Sequence, residues 1–430
     1  MSRSCVVVGA GVAGLSAAYR LANSGIRVTV IEGEPHIGGR TGTERVGQFV
    51  INTGASILTD FFDATLQLVR ELRLSAVDVH RPPNAAATPF GKLPFEVGSP
   101  HGIWRFPLIP WFGKLRALSV FARRALDRRS HVADLASLAR MDRGETVERW
   151  GHRVVGEAGY QYLLRPGVES FFYFGADEAS AAFAKALMRH AARWEMLVLA
   201  EGMASLCDAL AQRLEVRTGC WVGAVEAAAS GVAVHHSGGT VNADYAVLAL
   251  PATAAARLEG SISPEDREDL GAVRYTANIA LFFGYERPIT VQHASVTPSG
   301  PGRHPIAGVY RNSQWCPAYV PEGKELIAIY GSGWRSTELL ERHPDKMTAA
   351  LRSDAEDIIG RLPDPDWIRM YPRKEALVLP APGHYRRMQA FLRRSRGRLL
   401  FAGDWLTGST VEGAVRTGLQ AAERILDAEK

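Results

Sequence analysis

The stretch CVVVGAGVAGLSAAYRLANSGIRVTVIEGEPHIGGR, residues 5–40, decides how the rest of the chain is read. It runs as an apolar strand, a glycine turn opening a helix, a second strand ending at Glu32, and then Gly38, Gly39 and Arg40. Gly9 permits the tight turn, Gly11 lets the backbone approach a pyrophosphate, and Gly14 lets the helix lie close to the strand, with helix N–H groups facing the phosphates. Glu32, about twenty residues on, is placed to accept from a ribose hydroxyl. Strand, glycines, helix and acid follow in the order a dinucleotide-binding βαβ unit needs, which distinguishes the stretch from a plain glycine turn.

A second constellation closes the chain: LLFAGDWLTGSTVEGAVRTGLQAAERIL, residues 399–426. A buried strand over 399–402 carries Gly403 and Asp404 at its carboxyl end, and Thr410 and Val411 open a helix running to Leu426. Carboxyl ends of strands and helix N-termini are where α/β sheets bind ligands. Asp404 is read as holding the ligand, with N–H groups near Thr410 and Val411 stabilising negative charge on it. The alternative is a Gly-Asp turn followed by a capped helix.

The 430 residues exceed what one hydrophobic core usually serves, so two domains are expected. Hydrophobic content of 47% with 22% charged residues is that of a soluble globular enzyme. Val6, Val7 and Val8 make too short an apolar run for a signal peptide, and no stretch reaches a transmembrane span, so the default location is the cytoplasm. Cys5, Cys207, Cys220 and Cys316 are far apart, which argues against a disulfide framework or a metal site. The net charge of +5 comes from scattered arginine rather than basic blocks, so nucleic-acid binding is not expected. No 20–50-residue repeat is present.

The organisation reads as discontinuous. From about Arg81 to Arg193 the chain is aromatic, arginine-rich and mainly helical. A helix over 205–214 and strands over 221–225, 232–235 and 245–250 then return to the first domain, whereas 278–285 and 326–330 read as a second sheet. The expected division is a cofactor domain of 1–80, 201–270 and 380–430, and a substrate domain of 81–200 and 271–379 with a helical lid.

With both ends in hand, the sequence resembles the superfamily of flavin-containing amine oxidases, protoporphyrinogen oxidases and phytoene-type desaturases. The resemblance covers most of the chain and rests on the N-terminal fingerprint, Gly54 in INTGAS, EGMASLCDALAQRL, Val222 ahead of a β-hairpin, ALPATAAARL, and FAGD with VEGA. It implies a Rossmann-like FAD-binding domain with a substrate domain of mixed sheet plus helices. Carried over, Gly9, Gly11, Ala13 and Gly14 hold the pyrophosphate of FAD and Glu32 the adenosine ribose. Gly39 and Gly54 belong to the same cofactor site, and Arg40 reaches the phosphates. Val222 offers its backbone to adenine, and Gly403, Asp404, Thr410 and Val411 hold the ribityl chain and ring. No C-terminal cysteine is present to carry the flavin covalently, so non-covalent FAD is expected.

Two departures bear on substrate. The amine oxidases of this superfamily place a lysine near the flavin on a substrate-sheet strand, but IALFFGYE has none, and the position expected around Gly284 and Tyr285 is filled otherwise. One cage aromatic is replaced by Thr410. WFGKLRAL, YLLRPGVESFFYFGADEASAAFA and VLPAPGHYRRM look more like the protoporphyrinogen oxidase and desaturase side. The reading is therefore a two-electron oxidase or desaturase acting on a bulky, largely apolar or polycyclic small molecule, with O2 or another electron acceptor. An amine or amide oxidase with an atypical cage, a flavin-dependent isomerase without net redox, and a nucleotide-binding protein without catalysis are the alternatives. No second complete nucleotide fingerprint follows Gly331 and Gly333, so NAD(P)H is not the expected reductant.

Phe171, Phe172, Tyr173 and Phe174 are candidates for the pocket, as are His384 and Tyr385 or else a turn in their place; Arg165 is read as a buried ion pair or an anion contact. Between 104 and 129, aromatic residues precede a helix in which Leu115, Leu118, Ala122 and Ala125 share one face and Arg116, Arg123 and Arg124 another. That pattern suits either a lid packed on its own domain or peripheral contact with lipid headgroups.

Overall fold

The computed structural model describes residues 3–79, 84–95, 99–127, 129–190, 195–394 and 396–429. The limits Arg81 and Arg193 of the aromatic stretch, and the expected 80/81 division, lie outside them.

Residues CVVV of the opening run are buried on both faces, and their strand, Ser4–Val8, is the centre of a five-stranded sheet. Arg27–Ile31 and then Glu215–Arg217 lie on one side; Tyr245–Leu248 and then Leu399–Phe401 lie on the other. Every pairing is parallel. Strands buried on both faces in a parallel sheet read as continuous apolar runs, which is why these were visible as VVV, RVTVI and YAVL. The helix Val12–Asn23 follows the first strand, and the C-terminal helix Val411–Ala428 packs beside it. A Cβ at Gly418 of that helix would lie 2.1 Å from the Ala13 carbonyl oxygen, so only glycine allows this approach.

The second large sheet has seven strands in the order Trp367–Leu379, Arg274–Tyr285, Glu325–Gly331, Ile306–Arg311, Ser295–Pro298, Asn84–Thr88 and Gly91–Pro94. It is antiparallel except for the pairing of Ser295–Pro298 with Asn84–Thr88. Together with the parallel sheet it makes the Rossmann-like plus mixed-sheet architecture. A four-stranded sheet of Gly239–Ala243, Gly231–His236, Val222–Ala228 and Glu259–Gly260 sits against the first layer. Strand ends differ from the sequence reading by a few residues: Trp221 precedes its strand, and the long strand begins at Arg274 rather than 278. The helix read over 205–214 is Ala204–Ala211.

Helices Pro100–Arg105, Trp111–Ala125, Val147–Gly159, Arg165–Phe172 and Ala181–Met188 form the aromatic region. The orientation of Trp111–Ala125 corrects the sequence reading. Its buried row is Gly113 and Ala117, whereas Leu115, Ala122 and Ala125 face outward with Arg116 and Arg123. The two small residues let the helix approach its neighbours, and the Arg116 guanidinium reaches back to the carbonyls of Arg153 and Val154. Among the described residues no helix is long and apolar enough to cross a membrane.

Candidate active site

A cavity of about 1550 Å³ runs from the glycine turn of the first βαβ unit to the aromatic region. It exceeds the roughly 300–1,000 Å³ of an ordinary small-molecule pocket. Gly9, Gly11, Ala13, Glu32, Gly39, Arg40, Gly54, Val222, Gly403, Asp404, Thr410 and Val411 all border it.

Gly14 does not border it, and the reason is geometric. A Cβ on Gly14 would fall 2.0 Å from the Gly9 carbonyl oxygen, so this glycine seals helix to strand. Gly9 has φ +104°, a left-handed conformation that favours glycine. At Gly11 the direction of a Cβ is open, with no atom within 4 Å. Gly11 is also the N-cap of the helix and provides no side-chain cap, so the first-turn N–H groups keep their donors for a ligand. Glu32 holds the loop in shape: its carboxylate accepts from the Ala10 N–H at 2.6 Å and the Glu34 N–H at 2.9 Å. Each oxygen retains a second lone pair for a hydroxyl.

Arg40 and Asp404 come together from opposite ends of the chain, Nη2 to Oδ1 at 2.6 Å. Burial works against the Arg40 charge, but Asp404 and Tyr275 outweigh it and hold the guanidinium above its ordinary pKa. Thr410 caps the C-terminal helix, its Oγ1 accepting from the Gly413 N–H at 2.9 Å. The next residue but one, Glu412, is fully buried and accepts from Ala64 N–H, Thr65 N–H and the Thr65 hydroxyl while pairing with Arg416.

At the far end Phe171, Phe172 and Tyr173 border the cavity, whereas Phe174 is core, packed 6.0 Å from Phe183. Tyr173 stacks on Tyr330 at 5.8 Å, and Tyr310 lies 5.7 Å from Tyr330. Ile103 and Phe121 bring the two lid-region helices to the cavity wall, while Trp104, Trp111, Phe112 and Leu115 on the same segment are exposed. Arg165 pairs with Glu169 at 2.9 Å and is a structural ion pair.

Two sequence expectations are corrected. His384 and Tyr385 are buried and do not border the cavity. The His384 Nε2–H donates to the Trp405 carbonyl at 2.8 Å, and burial pushes its pKa down to about 4, so the ring is neutral and structural. The helix His384–Arg393 turns both side chains into the core beneath the Gly403–Thr410 loop instead of toward the cavity. Gly284 and Tyr285, around which that departure was placed, likewise do not border the cavity. Tyr285 is buried on the opposite side, its hydroxyl donating to Pro363, and Asn278, Ala280 and Phe282 supply that strand's contribution to the cavity. None of the described residues bordering the cavity is a lysine.

Sequence reasoning missed Asn278, Phe282, Tyr310, Tyr330, Tyr371 and Arg373, which form the mixed-sheet wall. Phe282 and Tyr330 lie in the continuous apolar runs IALFF and LIAIY, where no polar residue marks the cavity face; Tyr371 and Arg373 sit in a strand whose charges hide its period. Gly333, after which the sequence shows no complete nucleotide fingerprint, is a packing glycine: its Cβ would meet the Thr276 hydroxyl at 2.1 Å.

The chain belongs to the flavin containing amine oxidoreductase family, which matches residues 12–426. That membership brings a flavin cofactor. It is 40% identical over 70 residues to a coproporphyrinogen III oxidase of Propionibacterium freudenreichii, covering 16% of this chain and 13% of that protein. It is 56% identical over 54 residues to a phytoene dehydrogenase of Streptomyces griseus, covering 13% of this chain and 11% of that protein. The matched stretches are thus a small part of those relatives' length. The fold is shared with cyclohexylamine oxidase from Brevibacterium oxydans IH-35A, at a TM-score of 0.79 and 18% identity over 100% of both chains.

Proposed function

We propose that the chain binds FAD non-covalently and removes two electrons from a bulky, largely apolar or polycyclic metabolite. The observation that carries this reading is one continuous cavity whose near end offers phosphate-compatible backbone and whose far end is aromatic and aliphatic, with no lysine among its described bordering residues. The open Cβ direction at Gly11 and the uncapped helix N-terminus fit a pyrophosphate; Arg40 supplies the counter-charge and Glu32 the ribose acceptor. Val222 borders the adenine end, and Gly403, Asp404, Thr410 and Val411 the ribityl chain and ring. Residues 1–80, 201–270 and 380–430 serve as the cofactor half, and 81–200 with 271–379 as the substrate half. Cys316, a buried thiol bordering the cavity, is pushed by burial up to about 12, which favours its protonated, unreactive form.

Bound FAD supplies two-electron acceptance at the expense of a substrate C–H bond, with later reoxidation by O2 or another acceptor. The protein's own work is orientation and exclusion of water. Phe172, Tyr173, Phe282 and Tyr330 give an aromatic wall, and Ile103 and Phe121 add apolar side chains to the lining. Holding the reacting carbon near the cofactor converts a bimolecular step into a unimolecular one.

The test is anaerobic addition of a porphyrinogen, polyene precursors and a panel of amines to the holoprotein, with air admitted afterwards. Loss of the visible flavin band with a polycyclic or polyene compound, and its return in air, is the expected result. Bleaching by amines alone overturns the substrate reading; product without acceptor consumption identifies an isomerase.

The helices Pro100–Arg105 and Trp111–Ala125 read as a lid, since Ile103 and Phe121 border the cavity from them. Residues 99–126 hold five Lys and Arg and no carboxylate, and their exposed Trp104, Trp111 and Phe112 suit an anionic lipid surface. Sedimentation with anionic vesicles is the expected outcome, lost when these three aromatics are replaced by serine. If the parent protein stays in the supernatant, the helices are a lid alone.

A further inference from the structure

Arg373 lies on the edge strand Trp367–Leu379, directly across from Asn278, and borders the cavity. Its guanidinium makes two long contacts to Thr53, Nε to the carbonyl at 3.3 Å and Nη2 to the hydroxyl at 3.5 Å. Among the described residues no carboxylate pairs with it, and the acids nearby are already engaged. Asp404 is held by Arg40, Glu44 by Arg369 and Tyr371, and Glu375 accepts from the Thr253 hydroxyl. Burial first, and the neighbouring Arg40 charge second, hold its pKa below the ordinary guanidinium value, with no anion acting the other way.

A half-buried guanidinium beside another cation is costly unless an anion completes it. Two anions have access: a phosphate of the cofactor, or an acidic group of the substrate. Position favours the second. Arg40 stands on the short turn Gly39–Thr41, close to Gly11 of the phosphate loop, and already carries its own carboxylate. Arg373 projects from the mixed sheet, two residues from Tyr371, whose ring packs 5.8 Å from Phe282 in the aromatic wall. It therefore marks the border between the cofactor half and the apolar half of the cavity.

We infer that Arg373 anchors a carboxylate of the substrate, so that the molecule oxidised is an amphiphilic acid with its acidic group at Arg373 and its apolar body among Phe172, Tyr173, Phe282 and Tyr330. The planar fork of arginine matches a carboxylate with two parallel hydrogen bonds. This rests on the proposed function and narrows its substrate class. It also explains how an apolar cavity sets the direction of entry, since the charged end can be satisfied at one place only among the bordering residues of the mixed sheet.

The experiment uses the purified holoprotein and three probes of equal chain length, decanoate, decanol and decylamine, with binding read by calorimetry and flavin content read separately. Decanoate is expected to bind about tenfold or more tightly than the other two, as a charge-assisted pair provides. Arg373→Met is expected to abolish that preference and Arg373→Lys to restore part of it, with flavin content unchanged in both. Equal affinity of the three probes for the parent protein overturns the inference without any variant having to fold. Loss of flavin from Arg373→Met with decanoate preference retained also overturns it and assigns the residue to the cofactor. A parent protein that holds no flavin yet prefers decanoate through Arg373 overturns the proposed oxidation and leaves the anchor standing.

Discussion

Gly11→Ala is expected to fold as the parent does and to bind FAD about tenfold or more weakly, an effect of roughly 1.4 kcal/mol or more. Gly14→Ala is expected to fail earlier, at the level of the fold. The contrast follows from what each added methyl would meet. Gly11 has φ −75° and ψ 175°, extended backbone that alanine adopts freely, and no atom lies within 4 Å of the new carbon. The methyl would point into the cavity, into the space the pyrophosphate needs for close approach to the backbone. At Gly14 the same methyl would fall 2.0 Å from the Gly9 carbonyl oxygen and 3.1 Å from the Ala249 side chain. Neither neighbour is a flexible tip, so helix and strand must separate, at about 1–3 kcal/mol or more. Thermal melts of the apoproteins, set beside flavin titrations, measure both halves. Unaltered flavin affinity in Gly11→Ala would remove the phosphate loop from the proposed site.

Glu412→Ala is expected to destabilise the protein by about 3–5 kcal/mol, the range for breaking a buried ion pair from one side. The carboxylate is fully buried and serves four donors: the Ala64 and Thr65 N–H groups, the Thr65 hydroxyl and the Arg416 guanidinium. The first two are orphan donors in the opening turn of the helix Asp63–Glu71, so this acid caps a helix distant in sequence while starting its own. Truncation would leave Arg416 with the long contacts to Asp63 and His131, 3.5 Å each, and two backbone donors without an acceptor. Glu412→Gln keeps the shape but presents an amide N–H₂ to a site made entirely of donors, so it is expected to recover only part of the loss. Denaturant unfolding of the three proteins tests this, and a midpoint for Glu412→Ala equal to the parent's would contradict it.

The parts of this molecule that sequence made legible are those where one physical demand dominates. Val6, Val7 and Val8 sit in a strand covered on both faces, and nothing else competes for those positions. Gly9 is forced by its positive φ and Gly14 by the close approach of helix to strand, whereas Gly11 leaves its Cβ direction open. The strand Trp367–Leu379 was not legible because two demands are superposed. Its cavity-facing row includes Tyr371, Arg373 and Glu375, polar side chains on a mainly apolar cavity, and its other residues include Pro372 and Lys374, tolerated because it is an edge strand. No apolar alternation survives. His384 was misplaced for a different reason: nearness in sequence to the last strand says nothing about which way the intervening helix turns its side chains. The outward face of Trp111–Ala125 was misread because leucine was taken to mark the buried side, whereas packing there is set by Gly113 and Ala117. Residue size, not hydrophobicity, decides a helix contact of that closeness.

The place of Leu399–Phe401 in the parallel sheet has a consequence for the order of events during synthesis. This strand pairs with Tyr245–Leu248, which pairs with Ser4–Val8, so a nascent chain holds an unfilled parallel edge until nearly its whole length has left the ribosome. Asp404, Thr410 and Glu412 arrive with that last segment. On the proposed site, a cofactor that needs these residues traps a sheet that has already closed instead of serving as an early template for folding. Contacts of such long sequence separation are slow to form, and in the interval the exposed edge is the surface on which misassembly would begin.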